Sequence, residues 1–161
     1  MLPHQPGGWV ILFSFIVALL LTIIPLPLWV DRIRPDWMCL VLIYWCMALP
    51  HRVGVGAGWL MGLLLDAAQG TLLGQHALAL AVVGFLTLKT YRRVRVLPLW
   101  QQSFTILAFV AVNQFLVFWI NGIVGYPAPD FWYLAPALGS MLMWPWIFVI
   151  LRDLRRHFRV I

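Results

Sequence analysis

The chain has 161 residues, of which 63% are hydrophobic and only 10% are charged, and its mean hydropathy is +0.93. A soluble domain carries roughly a quarter of its residues as charged side chains, so this composition excludes an ordinary soluble domain and predicts an integral membrane protein. The formal net charge of +6 is typical of a membrane protein with excess Lys and Arg on its cytoplasmic side, and we do not infer nucleic-acid binding from it.

Six long apolar runs follow one another, and we predict that each forms a transmembrane helix of one polytopic domain over residues 1–161. The runs cover approximately residues 9–30, 37–49, 53–68, 72–88, 103–124 and 131–151. The first run exceeds the ~7–15-residue core of a signal peptide, and no Lys or Arg precedes it, so we expect it to be retained as a membrane helix. The sequence thus predicts an all-α integral membrane fold, a compact bundle of about six transmembrane helices.

The first three runs indicate an irregular bundle. Pro25 and Pro27 are expected to bend or end the first helix early, because proline lacks a backbone N–H and clashes with the preceding turn. The second and third runs are shorter than the ~20 residues of an ordinary span. A re-entrant hairpin from Trp37 to Ala68 therefore stays open as an alternative, and it would leave the orientation of the other spans unchanged.

Basic residues gather in the segments that six crossings place on one side of the membrane. These residues are Arg52, Lys89, Arg92, Arg93, Arg95, Arg152, Arg155, Arg156 and Arg159. The opposite side has Arg32 and Arg34, which Asp31 and Asp36 balance in number. Because cytoplasmic loops carry the excess of Lys and Arg, we predict cytoplasmic termini and a basic cytoplasmic tail over residues 152–161. The tail is expected to anchor the last span, to lie on the anionic membrane surface or to contact a cytoplasmic protein.

Glycines recur every four residues from the third run to the start of the fourth, in a series that also contains Asp66. They are Gly54, Gly58, Gly62, Gly70 and Gly74. Small residues at this spacing let a neighbouring helix backbone approach closely. We interpret the series as a candidate interface for a partner protein's helix or as a packing face within the bundle, and the two roles do not exclude each other.

Asp66 is the acidic residue inside a predicted span. A charge in the membrane is costly unless it is paired or hydrated, so an intramembrane carboxylate marks a candidate site. Arg34 and Asp36 precede the second run, and Gln75 and His76 open the fourth on the same external side. We predict that these five residues form a polar cluster, in which Arg34 is the suggested partner of Asp66.

Other polar residues give weaker signals. Asn113 and Gln114 lie near the middle of the fifth run, where amides usually hydrogen-bond to another helix and less often bind a ligand. Cys39 and Cys46 are seven residues apart, too far along one helix to form a disulfide, and we expect them to be packing residues. The chain has none of the HExxH, GxSxG or Walker motifs. We therefore predict no enzyme activity, metal or cofactor.

Several short motifs, taken in order, resemble the bacterial rod shape-determining protein family MreD. They are Arg34-Pro35-Asp36-Trp37, Ile43-Tyr44-Trp45, Pro50-His51-Arg52-Val53-Gly54, Gly62-Leu63-Leu64-Leu65-Asp66, Leu73-Gly74-Gln75-His76-Ala77-Leu78 and Tyr91-Arg92-Arg93. The resemblance covers essentially the whole chain. Each motif alone is weak evidence for the family, because glycine-rich membrane helices are common. The ordered series of motifs is more specific.

The resemblance implies a non-enzymatic inner-membrane subunit of the cell-elongation machinery. Such a subunit binds MreC and is linked through it to MreB, RodA and a class B penicillin-binding transpeptidase, and it helps to organise or regulate lateral peptidoglycan synthesis. The resemblance also implies a fold similar to the substrate-binding components of energy-coupling-factor vitamin transporters. A small-molecule (vitamin-like) binding component of a transporter is therefore the alternative, with Arg34, Asp66, Gln75, His76 and Asn113 as its polar groups.

Overall fold

The computed structural model describes residues 8–25, 27, 33–51, 53–70, 73–125 and 135–158, and these ranges contain six α-helices. In chain order the helices are α1 (Gly8–Ile23), α2 (Trp37–Ala48), α3 (Val55–Gln69), α4 (Gln75–Arg95), α5 (Leu99–Val124) and α6 (Ala135–His157). The prediction of an all-α chain with about six helices is confirmed. Two of the described helices, α5 and α6, are long and apolar enough to cross a bilayer, which suggests a membrane protein.

The helix ends differ from the predicted spans where charges begin. α1 ends at Ile23, before Pro25, as expected for a proline-terminated helix. By contrast, α4 continues to Arg95 and α6 to His157, so residues 152–157 of the predicted basic tail are helical and continuous with the last helix. Hydropathy falls at the first charges, whereas the helical hydrogen bonds continue until a residue such as Pro98 interrupts them.

The centre of the bundle is α2. Its ten residues from Met38 to Met47 are all buried, and it contacts α1, α3, α4, α5 and α6. A helix that is apolar on every side is typical of a core position. At 12 residues, or about 18 Å, α2 is shorter than an ordinary span, so its crossing of the membrane stays a prediction. Cys39 and Cys46 are buried free thiols in this core.

Candidate functional site

Asp66 organises the turn between α3 and α4. The turn begins with Gly70 at φ +68° and ends with Gly74 at φ +103°, a left-handed backbone that glycine adopts without a steric penalty. The fully buried Asp66 carboxylate accepts hydrogen bonds from the backbone N–H of Gly74 at 2.9 Å and of His76 at 3.0 Å. Asp66 therefore places a negative charge at the N-terminus of α4, where the helix dipole stabilises it.

The same carboxylate holds the His76 ring. Nδ1 of His76 lies 2.7 Å from Oδ1 of Asp66. Arg34, the partner suggested from the sequence, donates through Nη1 to the Thr22 carbonyl at 2.5 Å and through Nη2 to the Ile24 carbonyl, where a cation complements the C-terminal end of α1. His76 is therefore one ionisable side chain that contacts the Asp66 carboxylate. Coupling between Arg34 and Asp66 stays a prediction.

Asp36 connects three helices. It caps the N-terminus of α2 through a bond from the Cys39 N–H at 3.3 Å. Its second carboxylate oxygen accepts from Nδ2 of Asn113 at 2.6 Å, and its own N–H donates to Oγ of Ser140 at 2.9 Å. Asp36 thereby joins α2 to α5 and α6. Asn113 makes the interhelical bond expected of an amide at its depth, whereas nothing in the sequence distinguished Ser140 from any other helical serine.

A cavity of about 380 Å³ opens beside these groups, at what we call the aspartate end of the bundle. Its polar lining consists of Thr22, Arg34, Asp36, Gln69, His76, Asn113 and Gln114. The Asn113 side chain is 3% exposed, and its Oδ1 accepts no hydrogen bond from any described residue. Because an unpaired buried acceptor costs roughly 1–3 kcal/mol, this oxygen is available to water or to a bound donor.

The five residues of the predicted polar cluster thus occupy three positions. Arg34, Asp36 and His76 line the cavity, and Asp66 supports the ring of His76. Gln75 is buried between helices, where its Nε2 donates to Oδ1 of Asn121 on α5 at 2.8 Å. Gln75 therefore links α4 to α5 instead of lining the cavity.

The glycine series divides between a helix face and a turn. A Cβ on Gly58 would lie 2.7 Å from the Leu80 carbonyl oxygen, and one on Gly62 would overlap the backbone of Ala77. Gly54 caps the start of α3, with its carbonyl oxygen 3.3 Å from a Cβ built on Gly84. This face of α3 is therefore covered by α4 of the same chain, the packing role that the sequence had left open.

The other two glycines of the series lie off the helix. Gly70 and Gly74 belong to the turn after α3, and a Cβ on either would meet nothing within 4 Å. A spacing of four was consistent with one continuous helix face, but the left-handed conformations of Gly70 and Gly74 end α3 and begin α4. These two glycines have a conformational role here, and the space beside each Cα is open.

Basic side chains gather at the opposite end, which we call the arginine end. Arg92 and Arg93 are exposed in the last turn of α4, and Arg155 and Arg156 lie in the last turn of α6. Nη2 of Arg95 donates to the Met47 carbonyl at the end of α2 at 2.9 Å. The predicted basic contact Arg159 lies outside the described residues. Arg52 also lies outside the described residues. The described arginines of the predicted set are grouped near the ends of α4 and α6, namely Arg92, Arg93, Arg95, Arg152, Arg155 and Arg156.

Gln102 is a structural residue that the sequence did not reveal. It is buried, and its Nε2 donates to the carbonyls of Val94 at 3.0 Å and Leu97 at 3.2 Å, near the end of α4. Its Oε1 accepts from Nε1 of Trp144 on α6 at 3.2 Å. The Gln102 amide therefore hydrogen-bonds both to the backbone near the end of α4 and to a side chain on α6.

We expect Gln102→Leu to destabilise the bundle by about 2 kcal/mol, because the Trp144 N–H and the Leu97 carbonyl lose the hydrogen bonds that Gln102 provides. Unfolding of the detergent-solubilised protein, followed by far-ultraviolet circular dichroism, measures the change. Gln101→Leu on the half-exposed side of α5 is the matched control and is expected to have little effect. If Gln101→Leu and Gln102→Leu lowered the stability equally, the role given to Gln102 would be contradicted.

Comparisons with known proteins place the chain in a family. Residues 5–154 match the family described as rod shape-determining protein MreD. The rod shape-determining protein MreD of Haemophilus influenzae is 34% identical over 150 residues, which cover 93% of this chain and 93% of that protein. No solved structure matches the chain, so the expected similarity to energy-coupling-factor components stays a prediction. The chain belongs to the MreD family of rod shape-determining proteins.

Proposed function

We propose that this protein is a non-enzymatic subunit of the bacterial cell-elongation machinery that binds MreC through membrane helices. In this role it helps to organise or regulate lateral peptidoglycan synthesis, and MreC links it indirectly to MreB, RodA and a class B penicillin-binding transpeptidase. The observation that carries the proposal is the family match over residues 5–154. A bundle whose polar side chains are largely engaged in holding helices together, as for Asp36 and Gln102, supports a structural role.

We further propose a multi-pass protein of the inner membrane with both termini in the cytoplasm. Supporting this, large apolar side chains are exposed along α1, α5 and α6, as expected for surfaces that face lipid. Trp9 at the start of α1 packs against Phe158 after α6, with 4.8 Å between the ring centroids, so both described ends of the chain lie at the arginine end. Positive charge there is consistent with a cytoplasmic location.

The glycine region remains our proposed contact for MreC only where it is accessible. α4 covers Gly58 and Gly62, so a second helix cannot occupy the same face of α3. The outer face of α3 exposes Trp59, Leu60 and Leu64, each by about half. The MreC helix is therefore proposed to contact this outer face and the adjoining turn with Gly70 and Gly74.

Cysteine cross-linking to MreC in cells tests the interface. In a chain whose native cysteines are replaced by alanine, single cysteines are placed on the outer face of α3 at Leu60 and Leu64 and, for comparison, at Leu142 on α6. We expect cross-links from the α3 positions and none from the fully buried Leu42. Cross-links confined to Leu142 would move the interface to α6. If MreC is present in the membrane and no exposed position cross-links to it, direct binding would be contradicted.

The cavity at the aspartate end favours one alternative, a small-molecule binding component of a transporter. Its volume of about 380 Å³ falls within the ~300–1,000 Å³ of ordinary ligand sites, and the unpaired Oδ1 of Asn113 offers an acceptor. Mass spectrometry of the protein purified in detergent distinguishes the two functions. A stoichiometric small molecule that Asn113→Leu abolishes, recovered without MreC, would favour transport, whereas recovery of MreC alone favours the scaffold.

A further inference from the structure

A second cavity lies at the arginine end, separate from the one beside Asp36. It has a volume of about 130 Å³ and is lined by Tyr44, Met47, Ala48, Arg95, Phe148, Arg152 and Arg155. The volume is below that of sites for drug-sized ligands, which begin near ~300 Å³. It is suited to one compact polar group.

Three arginines from two helices surround this cavity. Arg95 belongs to α4, and Arg152 and Arg155 belong to α6, while no described carboxylate lines the cavity. The exposed Asp153 does not line the cavity, and its Oδ1 lies 3.7 Å from Nε of Arg152, too far for a hydrogen bond. The lining thus carries three positive charges without a carboxylate among them.

The guanidinium groups are oriented but retain free donors. The Arg95 guanidinium lies 5.0 Å from the centroid of the Tyr91 ring, and that of Arg152 lies 5.8 Å from the Phe148 ring. Arg95 uses one of its N–H groups on the Met47 carbonyl, out of the five that a guanidinium has. Nε of Arg152 is buried and has no hydrogen-bond acceptor. A group that brings several acceptor oxygens would satisfy these donors.

We propose that this cavity binds a phosphate group, supplied by the headgroup of an anionic phospholipid or by soluble phosphate. Arginine recognises phosphate through pairs of parallel N–H···O bonds, and a phosphate diester is the anion of the membrane surface. The site is distinct from general attraction of the basic end to an anionic surface, because Arg92, Arg93 and Arg156 do not line the cavity.

Native mass spectrometry of the full chain in an uncharged detergent tests the proposal. Wild-type protein is titrated with phosphatidylglycerol and, separately, with phosphatidylcholine. The cavity variant Arg152→Gln/Arg155→Gln is compared with Arg92→Gln/Arg156→Gln, which loses the same charge outside the cavity. The uncharged detergent presents no anionic surface, so the control arginines should contribute little. A lost charge-assisted hydrogen bond weakens binding roughly tenfold or more, so we expect the cavity variant to bind phosphatidylglycerol at least about tenfold more weakly and the control variant to stay within a few-fold of wild type.

A thermal unfolding titration with inorganic phosphate separates the two sources. Protection of wild type but not of the cavity variant by inorganic phosphate, without preference for phosphatidylglycerol over phosphatidylcholine, would assign the site to soluble phosphate. Should the double variant not fold, Arg155→Lys, which keeps the charge but loses the paired N–H geometry, is expected to weaken binding several-fold. The proposal would be overturned if the cavity and control variants lost the same affinity for phosphatidylglycerol. It would also be overturned if wild type responded neither to phosphatidylglycerol nor to inorganic phosphate.

Discussion

Gly62→Ala is expected to push α3 away from α4 and to lower the free energy of unfolding by about 3 kcal/mol. The added Cβ would overlap the backbone of Ala77, and a backbone contact cannot be relieved by rotating a side chain. Gly58→Ala should cost less, because its Cβ would lie 2.7 Å from the Leu80 carbonyl oxygen and 3.1 Å from Cδ2 of Leu42. A Cβ on Gly62 would lie closer still to Cα of Ala77. Unfolding in mixed detergent micelles, followed by circular dichroism, gives the two values.

Gly56→Ala is the matched control on the same helix. A Cβ there meets nothing within 4 Å, so alanine is expected to stabilise α3 by roughly 0.5–1 kcal/mol through its higher helix propensity. If Gly62→Ala lowers the free energy of unfolding while Gly56→Ala raises it, the loss of stability comes from the contact with α4. If both substitutions stabilised the protein, the close packing of α3 against α4 at Gly62 would be contradicted.

Asp66→Ala is expected to destabilise the protein by about 3 kcal/mol. The substitution leaves the backbone N–H groups of Gly74 and His76, and the His76 ring, without the acceptor that they share, and buried donors without a partner are costly. The same unfolding measurement applies. Limited proteolysis should also cut first between α3 and α4, because the turn depends on this carboxylate.

Asp153→Ala provides the comparison for removing a carboxylate from an exposed site. Asp153 is 66% exposed and lies 3.7 Å from Arg152, and an exposed pair of this kind contributes less than about 1 kcal/mol. Asp66→Asn keeps one acceptor oxygen and should fall between the two alanine variants. A loss for Asp66→Ala no larger than that for Asp153→Ala would show that Asp66 does not organise the turn.

The number of helices and the approximate position of each were accessible from the sequence. Apolar runs separated by Pro, Gly and charged residues identify helices in a membrane protein, and Pro25 correctly marked the end of the first. The ends at Arg95 and His157 were not accessible from hydropathy, because charged residues leave the apolar run without leaving the helix.

The site was predictable as a gathering of polar residues but not in its pairings. Polar groups inside a membrane bundle must find partners, so a cluster that includes Asp36 and His76 could be expected. That Asn113 reaches Asp36, and that Gln75 turns to Asn121, depends on how each helix is rotated about its axis. Rotation is set by the packing of many side chains at once, and no short motif records it.

The enclosed position of α2 has a consequence for biosynthesis. α2 is made second, yet Asp36 at its start is bound by Asn113 and Ser140, which leave the ribosome only with the last two helices. Until then, the carboxylate must be hydrated or held by another protein. The final contacts of α2 therefore form only after α5 and α6 have been made, and a chain ending before Leu99 would lack the bonds of Asp36 with Asn113 and Ser140.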